Sequence, residues 1–242
     1  MVGVDAGTPY QVTITMNSTT VSTLLSGNFV LYGFKAVQST AAGSPLVWFQ
    51  TQSFSATTVV GWTEQYQAYT STSTIIPNGE IVSSFAANIT LGQQMNVSAG
   101  GLGTVVAGGP ATAISILNTT STQYTTGISQ VTNGVAQPVC AFPLYGNNED
   151  VIAPIEKVLL MFSTRPVNTG TVIEQSYGPG ILIDLTASNQ RTVAYDINAG
   201  WSWGGFNWAQ QIPASSDLIP LLIDDSVQSS ARVFQPRCLI SA

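Results

Sequence analysis

Apolar and polar residues alternate along many short segments of this chain. In residues 10–16, for example, Val12, Ile14 and Met16 occupy every second position, with polar side chains between them. A period of two is typical of a half-buried β-strand, because successive side chains of a strand point to opposite faces. Comparable segments, separated by turns rich in Gly, Pro and Asn, recur at residues 29–34, 46–49, 57–62, 113–117, 158–162, 171–174, 181–185, 192–197 and 221–223. Apart from a weak helical pattern at residues 148–155, we expect an all-β protein built as antiparallel sandwiches.

Part of this pattern repeats along the chain. Phe29 and the Leu-Tyr-Gly run that follows it match Phe142 and a second Leu-Tyr-Gly run. The same spacing separates Leu46 from Leu159, and no gap is needed between the two matches. One uninterrupted register that keeps aromatic, aliphatic and glycine positions in phase indicates an internal repeat.

The repeat predicts a tandem duplication of two β-sandwich units, residues 1–125 and residues 126–242. Each unit has the size of an immunoglobulin-like sandwich, about 100 residues. The two units either stand side by side as separate domains or interleave into one larger pseudo-twofold sandwich. The sequence is compatible with both arrangements.

Charged residues are scarce in this chain. Only 7% of the 242 residues are charged, the formal net charge is −6, and 44% are hydrophobic. This apolar content predicts a folded chain rather than a disordered one. The six Lys and Arg residues are scattered along the sequence, which argues against nucleic-acid binding. A surface with so little charge repulsion favours self-association.

Targeting signals are not apparent in the sequence. No apolar run approaches the roughly 20 residues of a transmembrane helix. The N-terminus lacks the basic and apolar regions of a signal peptide. We therefore expect a soluble protein without a transmembrane segment, and its compartment stays open.

Several kinds of chemistry are excluded by composition. The chain has no histidine, which rules out the usual Ser-His-Asp and Cys-His forms of nucleophilic catalysis. Its glycine-rich stretches lack the Lys-Ser/Thr of a P-loop, and two cysteines are too few for a zinc site. We therefore expect a protein that is not an enzyme and has no cofactor. Cys140 and Cys238 either form one disulfide or are two buried free thiols. Asn148, Glu149 and Asp150 are weak candidates for a calcium site, because they match no EF-hand loop.

Three of the five tryptophans lie close together at Trp201, Trp203 and Trp208, with Phe206 and Asn207 among them. Flat aromatic rings can stack on the apolar face of a sugar, while nearby amides and hydroxyls supply neutral hydrogen bonds. This segment is therefore the strongest candidate for a ligand-binding site. Two other interpretations are open: Trp201 and Trp203 pack into the core from one face of a strand, or the cluster contacts a protein or a membrane.

A Glu-Gln pair occurs in both predicted units, beginning at Glu64 and at Glu174, and Tyr66 accompanies the first pair. These residues are either a duplicated binding feature or structural hydrogen-bonding groups at the edge of the sandwich. If Glu64 and Glu174 met across a cleft, they would also form the carboxylate pair that glycoside hydrolysis requires.

The patterns rank three functions. The first is a non-catalytic β-sandwich protein that binds a neutral ligand such as a glycan through the aromatic segment and the residues around Glu64, Tyr66 and Glu174. The alternative is a toxin-like or self-assembling protein, either membrane-active or crystal-forming. A glycoside hydrolase with paired carboxylates comes third.

Overall fold

The structure is a computed structural model that describes residues 7–132 and 134–225. Within these ranges the chain is built almost entirely from strands, as the alternating pattern predicts. The strands are β1 (Pro9–Thr15), β2 (Val30–Ser39), β3 (Ser44–Pro45), β4 (Phe49–Thr51), β5 (Thr57–Ser71), β6 (Phe85–Ile89), β7 (Gln93–Val97), β8 (Gly103–Ala107), β9 (Ile114–Asn118), β10 (Tyr124–Thr132), β11 (Val135–Pro138), β12 (Cys140–Leu144), β13 (Glu149–Ser163), β14 (Gly180–Asp184), β15 (Gln190–Asp196), β16 (Gly200–Ser202), β17 (Ala209–Ile212) and β18 (Ile223–Asp224). The helices are α1 (Ser18–Ser26) and α2 (Ile219–Leu222), with one 3-10 turn at Ala99–Gly101.

The strands form two nine-stranded sheets that pack face to face. Sheet I has the order β16-β15-β1-β5-β10-β12-β3, with β6 added to β5 and β11 added to β10. Sheet II has the order β17-β14-β13-β9-β7-β8, with β2 on the other edge of β13 and β4 and β18 paired to β2. This arrangement confirms an all-β sandwich.

Both sheets contain strands from both halves of the chain. In sheet I, β1 lies between β5 and β15, and in sheet II, β13 lies between β2 and β14. The two halves of the chain therefore build both sheets jointly. The boundary between residues 125 and 126 falls inside β10, so it does not coincide with a linker. The duplication itself stays a prediction from the sequence.

Most ladders are antiparallel, as expected, but three that the structure describes are parallel. They join β1 to β15, β7 to β9, and β18 to β2. β1 and β15, and β18 and β2, are far apart in sequence, whereas only β8 separates β7 from β9. A local hairpin cannot produce a parallel pair, so these contacts depend on the overall path of the chain.

The main core lies between the sheets, and a second apolar layer covers the outer face of sheet II. Tyr32 and Phe34 of β2 and Met161 of β13 pack there against Ile173 and Leu218 from the later loops. The strands β2 and β13 are therefore buried on both faces, which explains their long apolar runs.

Helix α1 is a feature that the strand pattern did not predict. The side chain of Asn17 caps it by accepting a hydrogen bond from the backbone N–H of Thr20, at 2.7 Å. The helix weakly predicted at residues 148–155 is a strand in the structure. β-branched residues there form the first part of β13, which pairs with β9 and β2. Neither α1 nor α2 has the length and apolar content needed to cross a membrane, and the rest of the described ranges holds no such helix.

Candidate functional sites

The aromatic segment connects the two sheets at one side of the sandwich. β16 is the last strand of sheet I, β17 is the last strand of sheet II, and residues 203–208 run between them. The segment thus closes the open edge between the layers. Its tryptophans divide into a buried one and two half-buried ones.

Trp201 belongs to the core and is 4% exposed. Its ring centroid lies 5.7 Å from that of Phe162 and 4.8 Å from that of Tyr195. Its indole N–H donates to the carbonyl of Pro179 at 3.2 Å. Because the side chain is buried, contacts two other rings and has its donor occupied, Trp201 is a packing residue, and we leave it out of the binding set proposed below.

Trp203, Phe206, Asn207 and Trp208 form what we call the aromatic ledge. Phe206 is 61% exposed, and its ring stacks on that of Trp208 with the centroids 6.3 Å apart and 17° between the planes. The indole N–H of Trp203 donates to the carbonyl of Phe206 at 2.8 Å. Asn207 is exposed beside them.

The turn before Phe206 requires glycine. Gly204 and Gly205 have φ values of 77° and 73°, in the left-handed region that side chains with a Cβ disfavour. This backbone, together with the hydrogen bond from Trp203, holds the Phe206 ring outward. The Arg191 guanidinium lies 4.9 Å from the ring centroid of Trp208 and donates to the carbonyl of Asp184, which fixes the other partner of the stack.

Glu64 and Tyr66 lie on the inward face of β5, in line with buried Trp62. The Tyr10 hydroxyl donates to Glu64 Oε1 at 3.1 Å, and the Tyr10 ring stacks on Trp62 at 5.7 Å. Burial, and the negative charges of Glu156 and Glu64 after it, raise the pKa of Tyr66 well above the ordinary value for tyrosine. Tyr66 therefore interacts electrostatically with both Glu64 and Glu156.

Lys35 and Glu156 form a buried ion pair that sequence reasoning missed. Lys35 Nζ lies 2.8 Å from Glu156 Oε2, with side-chain exposures of 1% and 12%. The indole N–H of Trp62 donates to the same oxygen at 3.3 Å, and the ammonium sits 4.8 Å from the Trp62 ring centroid. Burial lowers the pKa of Lys35, and Glu156 acts against that lowering.

Glu156 faces inward because it follows the alternation of β13. The register of β13 against β2 shifts by two residues between Ile155 and Val158, so Glu156 stays on the same face as Ile152 and Val158, which lie in the main core. Lys157 then points away and meets Asp184 at 3.6 Å at the surface. Glu156 and Lys157 are adjacent in the sequence, yet they belong to two different ion pairs. The available signal was Lys35, a lone charge inside the continuous apolar run of β2.

Glu174 lies elsewhere. It lines a small groove of about 290 Å³ together with Asn78, Arg165 and Tyr177, whereas Glu64 lines a different groove. The Ser44 hydroxyl donates to Glu174 Oε1 at 3.5 Å. The structure therefore does not bring Glu64 and Glu174 together as a carboxylate pair.

The calcium candidates do not converge either. Glu149 and Asp150 are successive residues of β13, so their side chains point to opposite faces, and Glu149 is exposed while Asp150 is buried. The backbone carbonyl of Asn148 is engaged by the N–H of Asn118 at 2.9 Å. In the part of the chain that the structure describes, no group of three or more Asp, Glu or Cys side chains is arranged to hold a metal ion.

Cys140 is buried in the core without a disulfide partner among the described residues, and burial raises the pKa of its thiol to about 12. Cys238 lies outside the described residues, so the disulfide prediction is not tested.

Comparisons with known proteins found no matching family model, no similar curated protein and no similar solved structure. Function therefore has to be inferred from the geometry of these sites.

Proposed function

We propose that this protein is a non-catalytic binding protein that holds a neutral, hydroxyl-bearing ligand such as a glycan on the aromatic ledge. The observation that carries the proposal is the exposure of Phe206: its large apolar ring is 61% exposed, yet it is held in a defined position. An isolated exposed apolar side chain needs no explanation. A ring that is stacked, backbone-anchored and preceded by two left-handed glycines is pre-organised.

The chemistry around the ring fits a neutral ligand. Phe206 and Trp208 supply apolar faces, and exposed Asn207, Gln210 and Gln211 supply amide donors and acceptors. The guanidinium of Arg191 is already engaged by Trp208 and by a backbone carbonyl. Stacking on a ring face with a few aimed neutral hydrogen bonds is the usual way to hold a small polar ligand without a charge.

Phe206→Ala is expected to weaken binding of a glycan identified on the array by about tenfold or more. An exposed aromatic anchor at the centre of a contact typically contributes at least about 1.4 kcal/mol. A glycan array screened with the labelled wild-type protein identifies the ligand, and calorimetry on the best hit measures the loss. Thermal unfolding should change little, since the Phe206 side chain is mostly in solvent.

Tyr145→Ala is the matched control, because Tyr145 is another exposed aromatic residue, at 54%, and lies away from the ledge. Its affinity for the same glycan should equal that of the wild type. Equal binding by Phe206→Ala, or a wild-type protein that binds no glycan on the array, would contradict the proposal and would favour the self-assembling alternative.

A further inference from the structure

One edge of β5 is shared by two strands that do not meet. β1 pairs with β5 up to the pair Pro9–Thr63, and β6 begins at the pair Ile89–Tyr66. Glu64 and Gln65 fall in the gap between these two ladders. The gap opens into a groove of about 640 Å³, which we call the seam groove.

Neutral polar side chains surround the seam groove. Its lining includes Gln67 and Asn88, whose amides bond to each other at 3.0 Å, and Gln93, which accepts from the N–H of Thr90 at 2.9 Å. Leu91 contributes an apolar wall that is 41% exposed. Glu64 is the one charged side chain in this lining. The volume is in the range of small-molecule sites, about 300–1,000 Å³.

Glu64 has no salt-bridge partner in the described part of the chain. Its Oε1 accepts a hydrogen bond from Tyr10, and neither of the two ion pairs of the described residues includes it. Lys35 interacts electrostatically with Glu64, but its ammonium is held at 2.8 Å by Glu156. Lys35, Glu156 and Glu64 together therefore carry one excess negative charge.

The two tyrosines beside these carboxylates, Tyr10 and Tyr66, have raised pKa values. The pKa of Tyr10 is raised above its ordinary value, first by burial and then by the charges of Glu156 and Glu64. Tyr66, which lines the groove, responds to the same two carboxylates. A group that brought a positive charge to Glu64 would balance the cluster, and an anion would be repelled.

We propose that the seam groove is a second ligand site, which binds a small organic cation through a salt bridge from its ammonium or guanidinium group to Glu64. An organic cation fits better than a metal ion, because Ca²⁺ and Mg²⁺ need several oxygen ligands and Glu64 is a single carboxylate. The amides of Gln67 and Asn88 and the exposed side chain of Leu91, which line the groove, provide polar and apolar contacts for the body of the ligand. The site is separate from the aromatic ledge and does not depend on the function proposed there.

Butylammonium and butylguanidinium chloride are suitable probes, with butanol as the uncharged control. Titration into ¹⁵N-labelled protein should give saturable amide shifts at residues 64–67 and 88–93 with at least one of the two cations. Glu64→Gln should weaken that cation by about tenfold or more, because a charge-assisted contact is lost. The Gln oxygen can still accept the Tyr10 hydrogen bond, so the fold is retained.

Two controls make the result specific. Glu80→Gln removes an exposed carboxylate that accepts from Asn168 on a different surface, and it should bind the cation as the wild type does. Phe206→Ala should also bind it normally, which separates this site from the ledge. The proposal is overturned if neither cation shifts the groove residues, if Glu64→Gln binds as tightly as the wild type, or if butanol or calcium chloride produces the same shifts.

Discussion

Glu156→Gln is expected to lower the free energy of unfolding by about 3–5 kcal/mol at neutral pH, because it leaves the Lys35 ammonium buried without its salt-bridge partner. Lys35 is 1% exposed, and Glu156 is its one salt-bridge partner among the described residues. The Trp48 and Trp62 rings, with centroids 5.9 and 4.8 Å from Nζ, attract the ammonium but do not replace a carboxylate.

The loss should shrink as the pH rises. Burial lowers the pKa of Lys35, and the charge and hydrogen bond of Glu156 oppose that lowering, so removing Glu156 lowers the pKa further. A folded state whose lysine has the lower pKa binds fewer protons than the unfolded state. Stability then increases as the pH rises from the folded-state pKa toward 10.5, the ordinary value for lysine.

Urea denaturation of Glu156→Gln at neutral and at alkaline pH measures both effects. The control is Lys157→Met, which removes the surface pair with Asp184 and should cost less than about 1 kcal/mol. A double variant, Lys35→Met with Glu156→Leu, removes both charges and should recover most of the stability, since well-packed apolar pairs often replace buried ion pairs without loss. If Glu156→Gln were as stable as Lys157→Met, the pair would have no structural importance.

The strand content of this fold is predictable from local sequence, but the pairing of the strands is not. The alternation of Val12, Ile14 and Met16 identifies β1 because the period of two is a local property. That β1 lies between β5 and the distant β15 depends on contacts across more than half of the chain. Helix α1 was not predicted, because the strand pattern dominates this part of the chain and Asn17 was not considered as an N-cap.

The candidate sites show the same division. The sequence correctly marked residues 201–208 as unusual, yet a list of aromatic residues cannot separate Trp201, which is in the core, from Phe206, which is in solvent. The partner of Lys35 was equally out of reach. Alternation places Glu156 on the face of Val158 and Leu160, but the pairing of β13 with β2 that brings it to Lys35 joins residues 121 positions apart in the sequence, which no local pattern predicts.

Asp150→Asn is expected to stabilise the protein relative to the wild type as the pH rises, by about 2.4 kcal/mol between pH 4 and pH 8. Asp150 is 6% exposed and lies opposite Ile116 on the face of β13 that carries Ile152. Its Oδ2 has no hydrogen-bond partner within the described residues. Burial, with a smaller contribution from the charge of Glu149, raises the pKa of this carboxyl from 3.8 to about 6.

The sign follows from proton binding. Between pH 4 and pH 6 the folded protein keeps the proton on Asp150 while the unfolded chain has lost it, so this residue makes the wild type less stable as the pH rises through that window. Asparagine has no charge to bury, and the variant loses this slope. Any fixed cost of burying the amide shifts the variant's curve by the same amount at every pH, so the change in the difference between the two curves isolates the ionisation of Asp150.

Urea denaturation at pH values from 4 to 8 gives both curves. Glu149→Gln separates the two causes, because it removes the neighbouring charge and leaves the burial. Since burial is the larger cause, that variant should show a smaller gain of the same sign. Curves for Asp150→Asn and wild type that stay parallel over the whole range would mean that the carboxyl is solvated in the folded protein. If the two stability curves diverge above pH 4, the ionised carboxylate of Asp150 is buried in the folded protein without a salt-bridge partner among the described residues.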